Sequence, residues 1–85
     1  MRDKNSVALY REIKAVILEV LDVAEEKVSI DTVFGADLEA DSLDVVEILM
    51  QLEDKYSIEI PEEIAQDIKT VKQMVEYLEQ RLRER

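Results

Sequence analysis

The 85 residues hold 21 acidic side chains against 11 basic ones, a net charge of −10, and 47% of them are hydrophobic. This describes one small domain with a modest core, since a chain of this size buries only about 60% of its unfolded surface. Histidine and cysteine are both absent, which removes disulfides, the common nucleophile–base pairs and the usual zinc ligands, and argues against a self-contained hydrolase or zinc enzyme.

One Gly and one Pro are too few for the turns of an all-β fold. Residues 1–5 form a polar lead expected to fray, and Ser6 or Asn5 can cap a first helix. Leu9, Ile13, Val16, Ile17, Val20 and Leu21 then recur at helical spacing, with Arg11, Glu12, Lys14 and Glu19 on the wet face. Over residues 22–40 the periodicity fails. A connection this long in a small domain is usually functional or pinned by its own apolar residues. Val28, Ile30, Phe34 and Leu38 are the expected anchors and Gly35 the expected turn residue. A loosely packed helical extension over residues 24–27 is the alternative.

A second helix is expected from residue 42 to 55 or 56. Val45, Ile48, Leu49, Leu52 and Tyr56 form its core face, while Leu43, Val46 and Met50 line up on the other side among Asp44, Glu47, Glu53 and Asp54. Ile58-Glu59-Ile60 alternates and precedes a proline, so it is expected to be extended. Pro61 suits the first position of a short third helix over residues 62–67, with Glu62 and Glu63 in its first turn. That helix is too short to stand alone, so Ile64 and Ile68 need tertiary packing. Thr70-Val71-Lys72-Gln73 is a capping box opening a last helix with the stripe Val71, Met74, Val75, Leu78 and Leu82. The expectation is an all-α, single-domain four-helix bundle over residues 1–85, with a short third helix and a long loop between helices one and two.

The charge is uneven. Residues 31–67 contain twelve acids and one lysine, and the remainder is nearly balanced with nine acids and ten bases. A diffuse acidic excess would merely keep a small protein in solution. Concentrated in one segment, it repels nucleic acid and anionic membrane and attracts basic protein surfaces. No apolar run is long enough to span a bilayer and no secretory leader pattern is present, so the chain is expected in the cytoplasm.

The acids gather around one serine. Asp41 is a good N-cap, which puts Ser42 in the first helical turn, its hydroxyl outward beside unpaired backbone N–H groups. Those groups and the positive end of the helix dipole favour an anionic group on the serine oxygen, such as a phosphodiester. The outward stripe that begins here, apolar with an acidic rim, is neither a purely solvated nor a purely buried face.

Asp41-Ser42-Leu43-Asp44 followed by Val45-Val46-Glu47-Ile48 resembles the prosthetic-group site of acyl carrier proteins, most closely those of fatty-acid synthesis. The similarity extends from about Val28 to Leu82 through the Phe34 loop, the Glu59-Ile60-Pro61 turn and the Thr70-Val71 helix start, and more loosely over residues 13–21. The tripeptide alone is weak, whereas the tripeptide in register with the acidic helix, the Ile-Pro turn and the last helix is specific. The resemblance implies a carrier and not an enzyme. A 4′-phosphopantetheine arm would be joined to Ser42, giving a phosphoprotein that bears acyl chains as thioesters on the arm's thiol. Asp41 would orient the serine and help to bind the metal–nucleotide complex of a phosphopantetheinyl transferase. Leu43, Asp44, Val46, Glu47, Met50 and Glu53 would be read by that transferase and by fatty acid synthesis enzymes with basic docking patches. Val45, Ile48, Leu49, Leu52, Ile60, Ile64 and Ile68 would enclose the acyl chain, and the carrier would be a monomer. One departure stands out: this chain has Glu39 where the family usually has Gly, adding charge and bulk on the approach to the serine. That keeps open a specialised carrier for a dedicated lipid or polyketide pathway.

Without the resemblance, Ser42 could be a simple capping serine and the chain an unmodified acidic adaptor using the same helix face. Asp37, Glu39 and Asp41 also fall at the spacing that begins a calcium loop. Ser42 then sits where Gly is required and Ile48 where Glu is required, so a dedicated calcium site is rejected.

Overall fold

The computed structural model describes residues 6–84 and is mainly helical. The elements are α1 (Ser6–Val20), a 3₁₀ turn (Glu25–Lys27), α2 (Phe34–Leu38), α3 (Ser42–Tyr56), α4 (Glu62–Asp67) and α5 (Val71–Arg83). Three long helices surround the core, with α1 packed on α3 and α5, and the short α4 leaning on α3. The expected helices are all present. Ser6 opens α1, and the expected cap at Asn5, like the fraying of residues 1–5, lies outside the described residues. Leu9, Ile13 and Ile17 of α1, Ile48 and Leu52 of α3, and Val71, Met74 and Leu78 of α5 are almost wholly buried and meet at the centre. These are the positions that helical periodicity selects, so the bundle follows from matching three apolar stripes.

The long connection is more structured than its sequence suggests. Between α1 and α3 it forms the 3₁₀ turn and then a five-residue helix, α2. Phe34 and Leu38 stand one turn apart and both are buried, which fixes α2 on the core although it is too short to persist alone. The Asp37 carboxylate accepts the Val33 N–H at 2.8 Å and closes the start of α2. Thr32 is the hub of the segment before it. It is 4% exposed, and its hydroxyl donates to the Lys27 carbonyl at 2.8 Å and accepts the Ser29 N–H at 2.8 Å. Val28 is an anchor as expected. Ile30 is not: at 38% exposure it rides on the outside of the Ser29–Thr32 turn, whose hydrogen bonds turn its side chain away from the core.

Phe34 and its neighbours are tied to the far end of the chain. The Phe34 N–H donates to the Lys69 carbonyl at 2.9 Å, and the Val71 N–H donates to the Thr32 carbonyl at 3.0 Å. These bonds flank an antiparallel bridge between Val33 and Thr70. Three further ties hold the other joints. The Tyr10 hydroxyl donates to the Val28 carbonyl at 3.4 Å. Arg81 Nη2 donates to the Glu59 carbonyl at 2.8 Å. The half-buried Tyr56 hydroxyl donates to the Glu12 carboxylate. Burial first, then the Glu12 hydrogen bond and negative charge, push the Tyr56 hydroxyl well above its usual range. Tyr56 thus clamps α3 to α1 from the edge of the core.

α4 has the expected bounds, Glu62–Asp67, with Pro61 at its N-cap, ψ 147°, rather than at its first helical position. The left-handed residue after α2 is Glu39, at φ 56°, while Gly35 lies inside the helix. The turn at Glu39 is closed by Glu39 N–H to Gly35 carbonyl at 3.1 Å and Ala40 N–H to Phe34 carbonyl at 3.0 Å. This is the position at which the resemblance implies Gly, and its backbone favours one: a left-handed conformation costs a side-chain-bearing residue roughly 1–2 kcal/mol. Glycine removes that cost but loses ~0.5–1 kcal/mol of backbone entropy. Glu39→Gly should therefore raise stability by up to ~1 kcal/mol, and Glu39→Val, β-branched and worse suited to positive φ, should lower it. Denaturant midpoints check this, and coincident midpoints for the three chains would contradict the strain at Glu39.

Candidate functional site

The first turn of α3 is built by two aspartates. Asp41, the N-cap, accepts the Asp44 N–H at 3.0 Å, and the Asp44 carboxylate accepts the Asp41 N–H at 3.1 Å. The Val45 N–H goes to the Asp41 carbonyl at 3.2 Å. The N–H groups of Ser42 and Leu43 are left without a partner among the described residues, as expected for the first positions of a helix. Ser42 is exposed. Its hydroxyl therefore sits on a rigid element, reachable from solvent, beside two free donors and the positive end of a 15-residue helix.

The outward face of α3 follows. Leu43 is 75% exposed and Met50 59%, Val46 is half-buried between them, and Glu47 is exposed with no partner among the described residues. The acids of this face differ in what they do. Asp44 is half-buried and engaged in the capping box. Glu53 is half-buried and accepts the Ile60 N–H, which fastens the segment after α3 back onto the helix. These bonds hold each carboxylate at a fixed point. Glu47, Glu53 and Asp54, three acids of the expected rim, border an open groove beside Met50.

Two clefts run along α4, sharing Ala65. One, about 220 Å³, opens beside Ser42 and is lined by Val33, Phe34, Gly35, Ala40, Asp41, Val45, Ala65, Gln66, Ile68 and Lys69. The other, about 240 Å³, lies between α3 and α4 and is lined by Val46, Leu49, Met50, Glu53, Ile60, Glu62 and Ala65. The residues expected to enclose an acyl chain are thus divided. Val45 and Ile68 line the first cleft, and Leu49 and Ile60 the second. Ile48 and Leu52 lie behind both, 0% exposed, and Ile64, half-buried, lines neither of these two. Sequence reasoning missed Val33, Ala40 and Ala65, small or irregularly spaced residues outside any helical stripe. It also missed the capping partnership of Asp44, although an acid three residues after an N-cap is a readable signal.

The donor set suits a phosphodiester-linked arm. An exposed hydroxyl, two unpartnered N–H groups and a mostly apolar cleft next to them accommodate an anionic root followed by a flexible chain. Among the described residues no group of three acids converges for a metal ion, and no helix is long and apolar enough to cross a membrane.

Residues 11–78 match the family described as "Phosphopantetheine attachment site". The chain is 53% identical to the acyl carrier protein of Helicobacter hepaticus over 70 residues, covering 82% of this chain and 92% of that one. It is 49% identical to the acyl carrier protein of Wolinella succinogenes over 73 residues, covering 86% and 96%. With the acyl carrier protein of Sulfurovum it shares 45% identity over 73 residues, covering 86% and 97%.

Proposed function

This chain belongs to the acyl carrier proteins of the phosphopantetheine-attachment family, and we propose that Ser42 is the residue to which its 4′-phosphopantetheine is joined. The observation that carries this reading is the exposed Ser42 hydroxyl on a capped first turn at the mouth of an apolar cleft. The arm supplies the thiol, and hence the thioester, that a chain without cysteine lacks. The chain's own residues bind and present, and catalyse nothing. The Asp41–Asp44 pair fixes the turn, so the hydroxyl is held out for a transferase without a search over backbone conformations.

The 85 residues act as one cytoplasmic carrier domain, working as a monomer. Its partners are the phosphopantetheinyl transferase and the fatty acid synthesis enzymes. They dock basic patches on Leu43, Val46 and Met50, ringed by Asp44, Glu47 and Glu53. Support comes from the exposed apolar side chains on a strongly acidic segment. Glu47 is the free charge of that ring, while Asp44 and Glu53 are held in place by backbone contacts. The acyl chain enters through the Ser42 cleft and spreads along α4. Each methylene withdrawn from water contributes about 0.8 kcal/mol, less the cost of parting α3 and α4.

Co-expression with a phosphopantetheinyl transferase and intact mass measurement test the attachment. Wild type gains the mass of the arm, and Ser42→Ala folds without it; an added mass retained in Ser42→Ala contradicts the assignment. On the modified protein, a medium-length acyl group should raise the melting temperature above that of the bare arm, and equal melting temperatures would place the chain outside. Docking is checked by association kinetics. Glu47→Lys should slow association more than it speeds dissociation, and salt should slow wild type in the same way, because the rim acts through a field screened over ~8 Å at physiological salt. Association indifferent to both would remove the face from the account.

A further inference from the structure

The cleft beside Ser42 carries a single base. Of the side chains that line it, Lys69 alone is cationic, and its place is fixed by the backbone. Its carbonyl accepts the Phe34 N–H at 2.9 Å, and its N–H donates to Gln73 Oε1 at 2.6 Å. Its neighbours are the buried Ile68 and the bridge residue Thr70. The side chain therefore starts from a set point between α4 and α5, in the same lining as Asp41 and Ser42 at the start of α3.

Lys69 is also exposed and has no ion-pair partner among the described residues, whereas Lys14 pairs with Glu25 and Arg83 with Glu79. It is the first base after a segment of twelve acids and one lysine. A phosphodiester on Ser42 adds a full negative charge close in sequence to Asp37, Glu39, Asp41 and Asp44. The free N–H groups of Ser42 and Leu43 offset only part of it, since a helix end is equivalent to about half a charge. A lysine ammonium is a compact point charge on a flexible stem, suited to meet a phosphate oxygen.

We propose that the Lys69 ammonium pairs with the phosphodiester on Ser42 and holds the root of the arm along the α2–α4 side of the serine, away from the Leu43–Met50 face. The inference rests on Ser42 being the attachment residue. It gives the resting carrier a defined arm direction, into the cleft lined by Val33, Ala65 and Ile68, and leaves the docking face uncovered. The pair is at the surface, so salt weakens it, and a base supplied by a partner can replace Lys69 and release the arm.

Phosphorus NMR of the arm-bearing protein tests this. Raising sodium chloride should move the phosphodiester resonance of wild type toward its position in Lys69→Gln, where it should no longer respond to salt. Lys69→Arg, which keeps the charge, should return the resonance toward wild type. Lys72→Gln, at an exposed lysine on α5 outside the cleft, should superimpose on wild type. If Lys69→Gln also superimposes on wild type, or if the Lys69 and Lys72 variants shift the resonance equally, the specific pair is overturned. Ser42→Ala decides the underlying reading separately. Loss of the phosphorus signal in that variant leaves the attachment at Ser42 standing whatever Lys69 does, and a retained signal removes both.

Discussion

Two backbone hydrogen bonds, Phe34 N–H to the Lys69 carbonyl and Val71 N–H to the Thr32 carbonyl, hold the candidate site together. They join segments more than thirty residues apart and are the only place among the described residues where the chain pairs in β fashion. Ordering the long connection between α1 and α3 costs about 1–2 kcal/mol of backbone entropy per residue, and most of that segment lacks helical periodicity to offset it. The offset comes from Val28, Phe34 and Leu38 in the core, from the hydroxyl of Thr32, and from this staple. One wall of the Ser42 cleft is the connection itself, through Val33 and Phe34. A second wall, joined to the first by the staple, is the end of α4 and the residues just after it, through Ala65, Ile68 and Lys69. Without the staple the two walls would have no fixed separation, and the serine would stand at the end of a loose strap.

Charge and backbone are arranged together around that frame. The acids nearest Ser42 serve two purposes. Asp37, Asp41 and Asp44 each accept a backbone N–H that would otherwise be unpaired at a helix start, a role in which a carboxylate is favoured by the helix dipole. In doing so they also build a negative field around the hydroxyl. Glu53 repeats the device at the far end of α3 by taking the Ile60 N–H. The acidic excess is therefore partly structural, and Glu47 carries its charge with no such duty. The same crowding gives the proposed Lys69 pair its weight: in a field of carboxylates, a phosphodiester on Ser42 would have few other side chains to meet.

Much of this was legible in the sequence, and the reasons divide cleanly. Long amphipathic helices announce themselves by period, so α1, α3 and α5 and their buried stripes could be placed from Leu9 to Leu78. Caps are local chemistry, so Asp41 and Thr70 could be identified as helix starts, and the bounds of α4 followed from Pro61 and its acidic first turn. The serine itself stood out because cap, stripe and acids converge on it. The missed features depend on contacts distant in sequence. Helix α2 has five residues, too few for a period, and exists because Phe34 and Leu38 find the core. Ile30 looked like an anchor because it is apolar, but the hydrogen bonds of the Ser29–Thr32 turn put it outside. Gly35 drew the turn assignment by its identity, while the left-handed position fell to Glu39, a residue whose type gives no hint of positive φ. Lys69 and Ala65 belong to the site only because the staple and α4 bring them there.

Native-state hydrogen exchange at the amides of Phe34 and Val71 is the most direct test of this account. If the staple sets the geometry of the Ser42 cleft, both amides should exchange only with the opening that also exposes the α3 core amides of Ile48 and Leu52. Exchange of Phe34 and Val71 at the rate of an open loop, while α3 stays protected, would show that the two walls of the cleft are not joined and would contradict the account.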